Sequence, residues 1–408
     1  MSFQVPDVAE DVPTSDVRNI SQQPGKRAYW SGVFAMTLCA FALVASEFMP
    51  VSLLTPIATD LKVSEGMAGQ AISISGVFAV ITSLFISSLA GNMSRKTLLL
   101  WLTGLMFVSG PIIAFAPNYT IYMAGRVFIG IAIGGFWSMS AAAAIRLVPA
   151  PQVPKALAIF NGGNALATVV AAPLGSYLGS IIGWRGAFFC LAPVALLALL
   201  WQFASLPPMK VEDHQKSSGN VFALLKTPLV AAGMAGASLF FMGQFTLFTY
   251  LRPFLETVTR VDIPTLSLLL LTLGITGFIG TVLIGHVLKR GFYQTLIVIP
   301  LIMSVIAGGL IALGHQLLPV AILLACWGMV ATAAPVGWWS WVAKTLPKNA
   351  EAAGGLMVAL VQLAIGLGST LGGVLFDAYG HDGTFTASAA LLLLAALLAG
   401  ITARKDRS

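Results

Sequence analysis

Runs of about twenty apolar residues recur along this chain, each bounded by charge, proline or glycine, and they leave little choice of fold. A helix needs about 20 such residues to cross about 30 Å of hydrocarbon. The runs fall near 30–55, 68–91, 97–116, 120–145, 155–182, 185–206, 228–252, 265–288, 292–314, 317–343, 352–379 and 384–403. The chain therefore reads as an all-α membrane protein with twelve transmembrane helices. An open sheet would strand its backbone hydrogen bonds in lipid, and barrel strands would alternate in polarity, which these runs do not. Composition agrees: 57% of residues are hydrophobic and 9% charged, with a mean hydropathy of +0.89, against about 25% charged in soluble domains. Cys39, Cys190 and Cys326 sit inside apolar runs without CxxC spacing. They read as small buried hydrophobes rather than a disulfide or metal framework.

Lys and Arg set the orientation. With the N-terminus in the cytoplasm, 17 of the 22 basic residues fall on the inner side, while Lys62, Arg185, Arg252 and Arg260 lie at the outer edge and Arg126 within a span. Both termini are thus expected to be cytoplasmic, and the net charge of +7 reflects topology rather than nucleic-acid binding. The first 25 residues are polar and proline-containing and lack a cleavable signal pattern. The expected organisation is a cytoplasmic tail over 1–28, a six-helix bundle over 29–206, a cytoplasmic linker over 207–227, a second six-helix bundle over 228–403 and a short tail over 404–408.

The two halves resemble each other. Leu174, Gly175, Leu178, Gly183, Gly186 and Phe188 recur 197 positions later as Leu371, Gly372, Leu375, Gly380, Gly383 and Phe385. At an offset of 198, Gly130, Arg146 and Pro149 meet Gly328, Lys344 and Pro347. Such a repeat implies two pseudo-symmetric bundles with a binding site at their interface near the midplane.

Against this apolar background a few polar residues stand out. Glu47, inside FALVASEFMPVSLLTP, is an acid where charge costs about 2.5 to 3.5 kcal/mol or more, which makes it a candidate proton carrier. Arg126 is the base in the middle of a span, about 9 Å from its outer end. If both helices face one cavity, the pair could balance Glu47 between its charged and neutral forms; a permanent ion pair is the alternative. Gln70, Asn161, Asn164, Gln244 and Gln362 carry amides that need partners in lipid, and Asn164 and Gln362 occupy equivalent places 198 apart. Trp137 and Trp338 offer flat faces for a nucleobase or sugar. Gly130 and Gly134, and the row Gly175, Gly179 and Gly183, read as helix-packing ridges. Asp377, at the outer end of the eleventh span, reads as a hydrated or paired terminus. His residues are scattered, and no P-loop, HExxH or GxSxG occurs, so neither a metal site nor an enzyme is expected.

Two six-helix halves, a central loop, and Glu47 followed by PVSLLTP resemble the major facilitator superfamily in its drug/proton antiporter branch. Arg126 and Gly130 match that branch's Arg-x-x-x-Gly, and Ala172-Pro173-Leu174-Gly175 resembles its antiporter motif, with Ala172 where a glycine is usual. The superfamily's loop motif keeps Leu89, Ala90, Arg95 and Lys96 but has Gly91 for its acid and Asn92 for its first arginine. Further likeness, in SEFMPVSLLTPIATDLKVSEGMAGQ, GGFWSMSAAAAIRLVP and PVGWWSWVAKTLP, lies with the nucleoside-exporting members. The resemblance implies proton-driven export of inosine- and guanosine-type purine ribonucleosides by a monomer in the inner membrane, with protons as coupling ion and no other cofactor. Glu47 and Arg126 would couple protons. Trp137, Asn161, Asn164, Gln244, Trp338 and Gln362 would bind substrate, and Arg95, Lys96, Gly130, Pro173 and Gly175 would gate. A sugar or drug cargo on the same fold, or a passive channel, are the alternatives.

Overall fold

The computed structural model describes residues 28–91, 93–209, 221–346 and 350–406. The N-terminal tail, the middle of the linker and Asn92 of the loop motif lie outside the described residues. The helices are α1 (Trp30–Ser52), α2 (Leu54–Leu61), α3 (Glu65–Ala90), α4 (Arg95–Ala114), α5 (Tyr119–Arg146), α6 (Val153–Phe189) and α7 (Leu191–Ser205). The second half holds α8 (Pro228–Phe248), α9 (Leu251–Phe254), α10 (Ile263–Arg290), α11 (Phe292–Leu313), α12 (Leu317–Ala331), α13 (Ala334–Thr345) and α14 (Ala350–Lys405). Among the described residues, ten helical segments are long and apolar enough to cross a membrane. Two of them, of 51 and 53 residues, suffice for two crossings each, which makes twelve helical crossings and brings both described ends to one face.

What folds the two long segments is a single glycine in each. Gly183 has φ 74° and Gly380 φ 66°, non-helical breaks inside α6 and α14. Left-handed backbone of this kind is open to glycine at no cost from a Cβ. The sequence repeat thus has a backbone meaning, because these two glycines are 197 positions apart. Other specials recur in the same way. Lys62 and Arg260, 198 apart, both end short helical turns in the left-handed region, at φ 56° and 57°. Two residues on, Ser64 and Asp262 cap α3 and α10 by accepting from the Met67 and Thr265 backbone N–H groups. Ser94 and Asn118 cap α4 and α5 likewise.

Packing within each half repeats too. A Cβ on Gly130 would run into the Ser75 backbone of α3, and one on Gly328 into the Leu273 carbonyl of α10. Gly134 similarly lies on Ala79. These ridges let helix backbones approach closely, which is how helices associate in lipid. The large apolar cluster runs from Val230 to Ala399 and takes in Val51, Ile72 and Ala172 of the first half. Between the halves, α3 lies on α14 and α6 on α10.

Candidate functional site

Proline organises the region around Glu47. Pro50 lies inside α1 and has no N–H to give the carbonyl four residues earlier, so the Ser46 carbonyl loses its helical partner. Arg126 of α5 supplies the missing donor: its Nη1 donates to Ser46 O at 2.7 Å, its Nη2 to Glu47 O at 3.1 Å and its Nε to Ala71 O of α3 at 3.0 Å. The guanidinium is fully buried, and a planar fork of five donors suits it to holding several carbonyls at once. Sequence reasoning weighed Arg126 as a charge partner for the Glu47 side chain. Its hydrogen bonds go to the main chain of α1 and α3, so its charge lies near Glu47 without a hydrogen bond to that carboxylate.

Glu47 is buried, 6% exposed, and its carboxylate meets the other half of the molecule: Gln362 of α14 donates from Nε2 to Glu47 Oε1 at 3.2 Å. Next to it, Phe48 stacks on Phe245 of α8, with ring centroids 5.6 Å apart. Toward the face away from the termini the halves are joined by further bonds. Ser73 Oγ donates to Gly366 O at 2.8 Å and accepts from Thr370 Oγ1 at 2.8 Å. Arg252 of α9, paired with Glu256 at 2.7 Å, donates through Nη1 to the Ser52 carbonyl. Asp377 accepts from Ser64 Oγ at 2.6 Å and from the Gly66 backbone N–H at 3.0 Å. A carboxylate at the first turn of α3 also meets the positive end of its dipole. Asp377 and Arg252 were not among the expected site residues. Their signal in the sequence was a polar side chain at a span end, which gives no hint of a partner 200 positions away for Arg252 or more than 300 for Asp377.

A buried acid at the seam of two six-helix halves narrows the family, and the sequence model of the Major Facilitator Superfamily matches residues 36–365. The chain belongs to that superfamily. It is 63% identical over 387 residues to a Pseudomonas aeruginosa protein named transcription regulatory protein OpdE, covering 94% of this chain and 96% of that one. It is 41% identical over 379 residues to the purine ribonucleoside efflux pump NepI of Salmonella paratyphi B, covering 93% and 95%. The fold matches two solved transporters at 15% and 17% identity. One is a bacterial homologue of the human lysosomal transporter Spinster, with a TM-score of 0.78 over 94% of this chain and 98% of that one. The other is a D-xylose–proton symporter, at 0.75 over 91% and 97%. This is a transporter family, not one of enzymes, and its members act on small molecules at the membrane.

The remaining expected residues of this superfamily member fall into three groups. Trp137 is half-buried against Phe136 and Phe160, Asn164 is half-buried on α6, and Gln244 is half-buried on α8 with its Oε1 atom unpartnered. Asn161 is exposed and turns its Nδ2 back to the Leu157 carbonyl of its own helix at 2.9 Å. Gln70 is half-buried on α3. Trp338, expected at the substrate, lies instead in the core of the second half, 1% exposed, with Trp341 6.1 Å away. The reason is in α8, where Gly236 and Gly233 leave room for the two indoles. As placed, Trp338 has no free face for a ligand.

The motif residues lie at contacts between elements. Lys96 donates to the Phe203 carbonyl at 2.8 Å and lies over the Phe203 ring, while the Arg95 backbone N–H donates to Met209 O at 3.0 Å. The loop between α3 and α4 is thereby tied to the end of α7 and the chain leaving it. Gly175, one turn fraction beyond Pro173 in α6, receives Ser52 and Met49 of α1. A side chain there would have to displace the Ser52 hydroxyl and crowd Met49.

Proposed function

We propose that this chain exports purine ribonucleosides of the inosine and guanosine type across the bacterial inner membrane in exchange for protons. Both termini face the cytoplasm, and the halves 29–206 and 228–403 rock about the seam between them. The observation that carries the reading is Glu47: an acid buried in the membrane, met by an amide of the opposite half. An intramembrane acid in such a place is a functional group by default, and a site at the interface of repeats is where alternating access exposes it to one side and then the other.

The cargo follows from the likeness to the Salmonella efflux pump over nearly the whole chain, together with side chains suited to a nucleoside. The half-open face of Trp137 can stack on a base. The amides of Asn164, Gln244 and Gln362 can pair with base edges and ribose hydroxyls, and the unpartnered Gln244 oxygen is an acceptor waiting for a donor. Asn161, exposed on the same helix as Asn164, joins them from its outer edge. Facing outward, Glu47 takes up a proton and cargo leaves; facing inward, it gives the proton up and cargo binds. The Glu47→Gln variant is expected to lose gradient-driven efflux while keeping nucleoside exchange, as measured in vesicles. Full pumping by that variant refutes the assignment.

The regulatory name of the Pseudomonas relative, at 63% identity, favours a second reading. A membrane transporter can affect transcription by setting the internal level of an inducer, so the cargo would be another small polar molecule such as a sugar. Competition by sugars, lipophilic cations and nucleosides against labelled inosine separates the two.

A further inference from the structure

Gln362 holds one buried atom that its surroundings leave unsatisfied. Its Nε2 donates to Glu47 Oε1 at 3.2 Å, but its Oε1, fully buried, has no hydrogen-bond partner. In a low-dielectric interior an unpaired acceptor costs about 1–3 kcal/mol. Turning the amide over does not relieve it, since an acceptor would then face a carboxylate oxygen. One change does: a proton on Glu47. A neutral carboxylic acid both donates and accepts, so its O–H can donate to Gln362 Oε1 while its C=O accepts from Nε2. The two groups then close a flat ring with two hydrogen bonds that ties α1 to α14.

We infer that Gln362 is the positioning residue that reads the protonation of Glu47, clasping the two halves together when Glu47 is neutral and leaving its oxygen free for a substrate donor when Glu47 is ionised. The inference rests on the proposed proton coupling at Glu47 and adds how the proton is felt by the fold. Proton and cargo become competitors for one acceptor atom, which is what an exchanger requires. The clasp belongs to the arrangement described, in which the Ser64–Asp377, Ser73–Gly366 and Arg252–Ser52 contacts close the face away from the termini. A protonated carrier would therefore return with that face shut.

Other charges near α1 leave the clasp to Glu47. Arg126 of α5 is the charged neighbour, occupied by main-chain carbonyls, and Tyr122 lies one helical turn before it with its hydroxyl unpartnered. On the other elements against α1, Asp60 of α2 is paired with Arg185 of α6, Lys155 of α6 lies over the Trp30 ring, and Arg252 of α9 is paired with Glu256. The titratable groups on α3 and α14 nearest the seam are Glu65, in the first turn of α3, and Asp377, bound to Ser64 and Gly66. α7 carries no titratable side chain.

The test is the distance between spin labels at Thr59→Cys and Gln316→Cys, exposed positions of the two halves on the closing face. It is followed against pH without substrate in a full-length chain lacking Cys190 and Cys326. The unsubstituted site should shift toward the closed distance as pH falls. Gln362→Leu should lose that shift, and Gln362→Met should do the same if the Leu variant does not accumulate. Glu47→Gln places two amides together, which can form the same two-bond ring. With no cargo present to compete for the Gln362 oxygen it should stay closed at every pH, and adding Gln362→Leu should release it. An Asp377→Asn background removes the other carboxylate that bridges the halves and should leave these differences in place. A Gln362→Leu protein with the full pH shift, or a Glu47→Gln protein whose closure ignores Gln362, overturns the clasp. A flat profile in the unsubstituted protein counts against the proton-coupling reading itself, and cargo identity enters none of these outcomes.

Discussion

Arg126 shows how far a residue's character can be read before its partners are known. A lone base among apolar residues must be neutralised or hydrogen-bonded, and that much follows from the sequence. Which of the two holds depends on Pro50, whose missing N–H frees the Ser46 carbonyl that Arg126 then fills. Arg126→Ala would leave the Ser46 carbonyl without a donor, at about 1–3 kcal/mol, and would take one bond each from the Glu47 carbonyl and from the Ala71 carbonyl, which keeps Ser75 Oγ. The expected outcome is a sharp fall in the thermal stability of purified protein, with Arg126→Lys recovering part of it because one ammonium cannot span three acceptors. Equal stability of all three proteins would mean that water replaces the guanidinium. Glu47 was legible as a functional acid from its surroundings in the sequence. Its partner Gln362 was legible only as an amide in lipid, since nothing local ties two side chains 315 positions apart.

At the scale of elements, the helices were plain in the apolar runs, but two of their joints were not. The expected loops near 183 and 380 are single left-handed glycines within otherwise continuous helix, and a hydropathy reading places a gap there without showing its form. Gly183→Ala and Gly380→Ala should each cost about 1–3 kcal/mol from the Cβ alone, read as a lower melting temperature. No loss would mean the break can relax to ordinary helix. The first joint is braced by Asp60, which accepts from Arg185 Nη1 and from Trp184 Nε1 at 3.1 Å, while Arg185 Nη2 donates to Ala116 O at 2.8 Å. The hydrogen bond from Arg185 holds the Asp60 carboxyl below its ordinary value of 3.8. A depressed carboxylate stabilises the folded form above the unfolded pKa, about 3.9, and loses that contribution as pH falls through the folded value. Asp60→Asn should therefore narrow its stability gap to the parent as the medium is acidified below about pH 4. A gap that widens would contradict the brace. Trp338 went the other way: a tryptophan in a span carries no mark that says core or cavity, and the glycines of α8 decided it.

For the whole molecule, the duplicated pattern at offsets of 197 and 198 anticipated more than topology. It paired Gly183 with Gly380, Gly130 with Gly328 and Asn164 with Gln362, and the structure gives the first pair the backbone breaks, where Gly183 meets no neighbour and so is not part of the expected packing ridge, and the second pair the close approaches. The seam between the repeats was out of reach, because Ser64–Asp377, Ser73–Thr370 and Glu47–Gln362 join residues with no pattern in common. If that seam is the gate, Ser64→Ala with Asp377→Asn should raise the fraction open to the far face, seen in a protein lacking Cys190 and Cys326 as faster labelling of Gln70→Cys on α3; unchanged labelling would take the gate elsewhere. The most direct test of proton-coupled export is uptake of labelled inosine into inside-out vesicles with an acid interior. The account predicts accumulation above the outside concentration that collapses with an uncoupler and is absent with Glu47→Gln. Uptake that is the same with and without the gradient would contradict it.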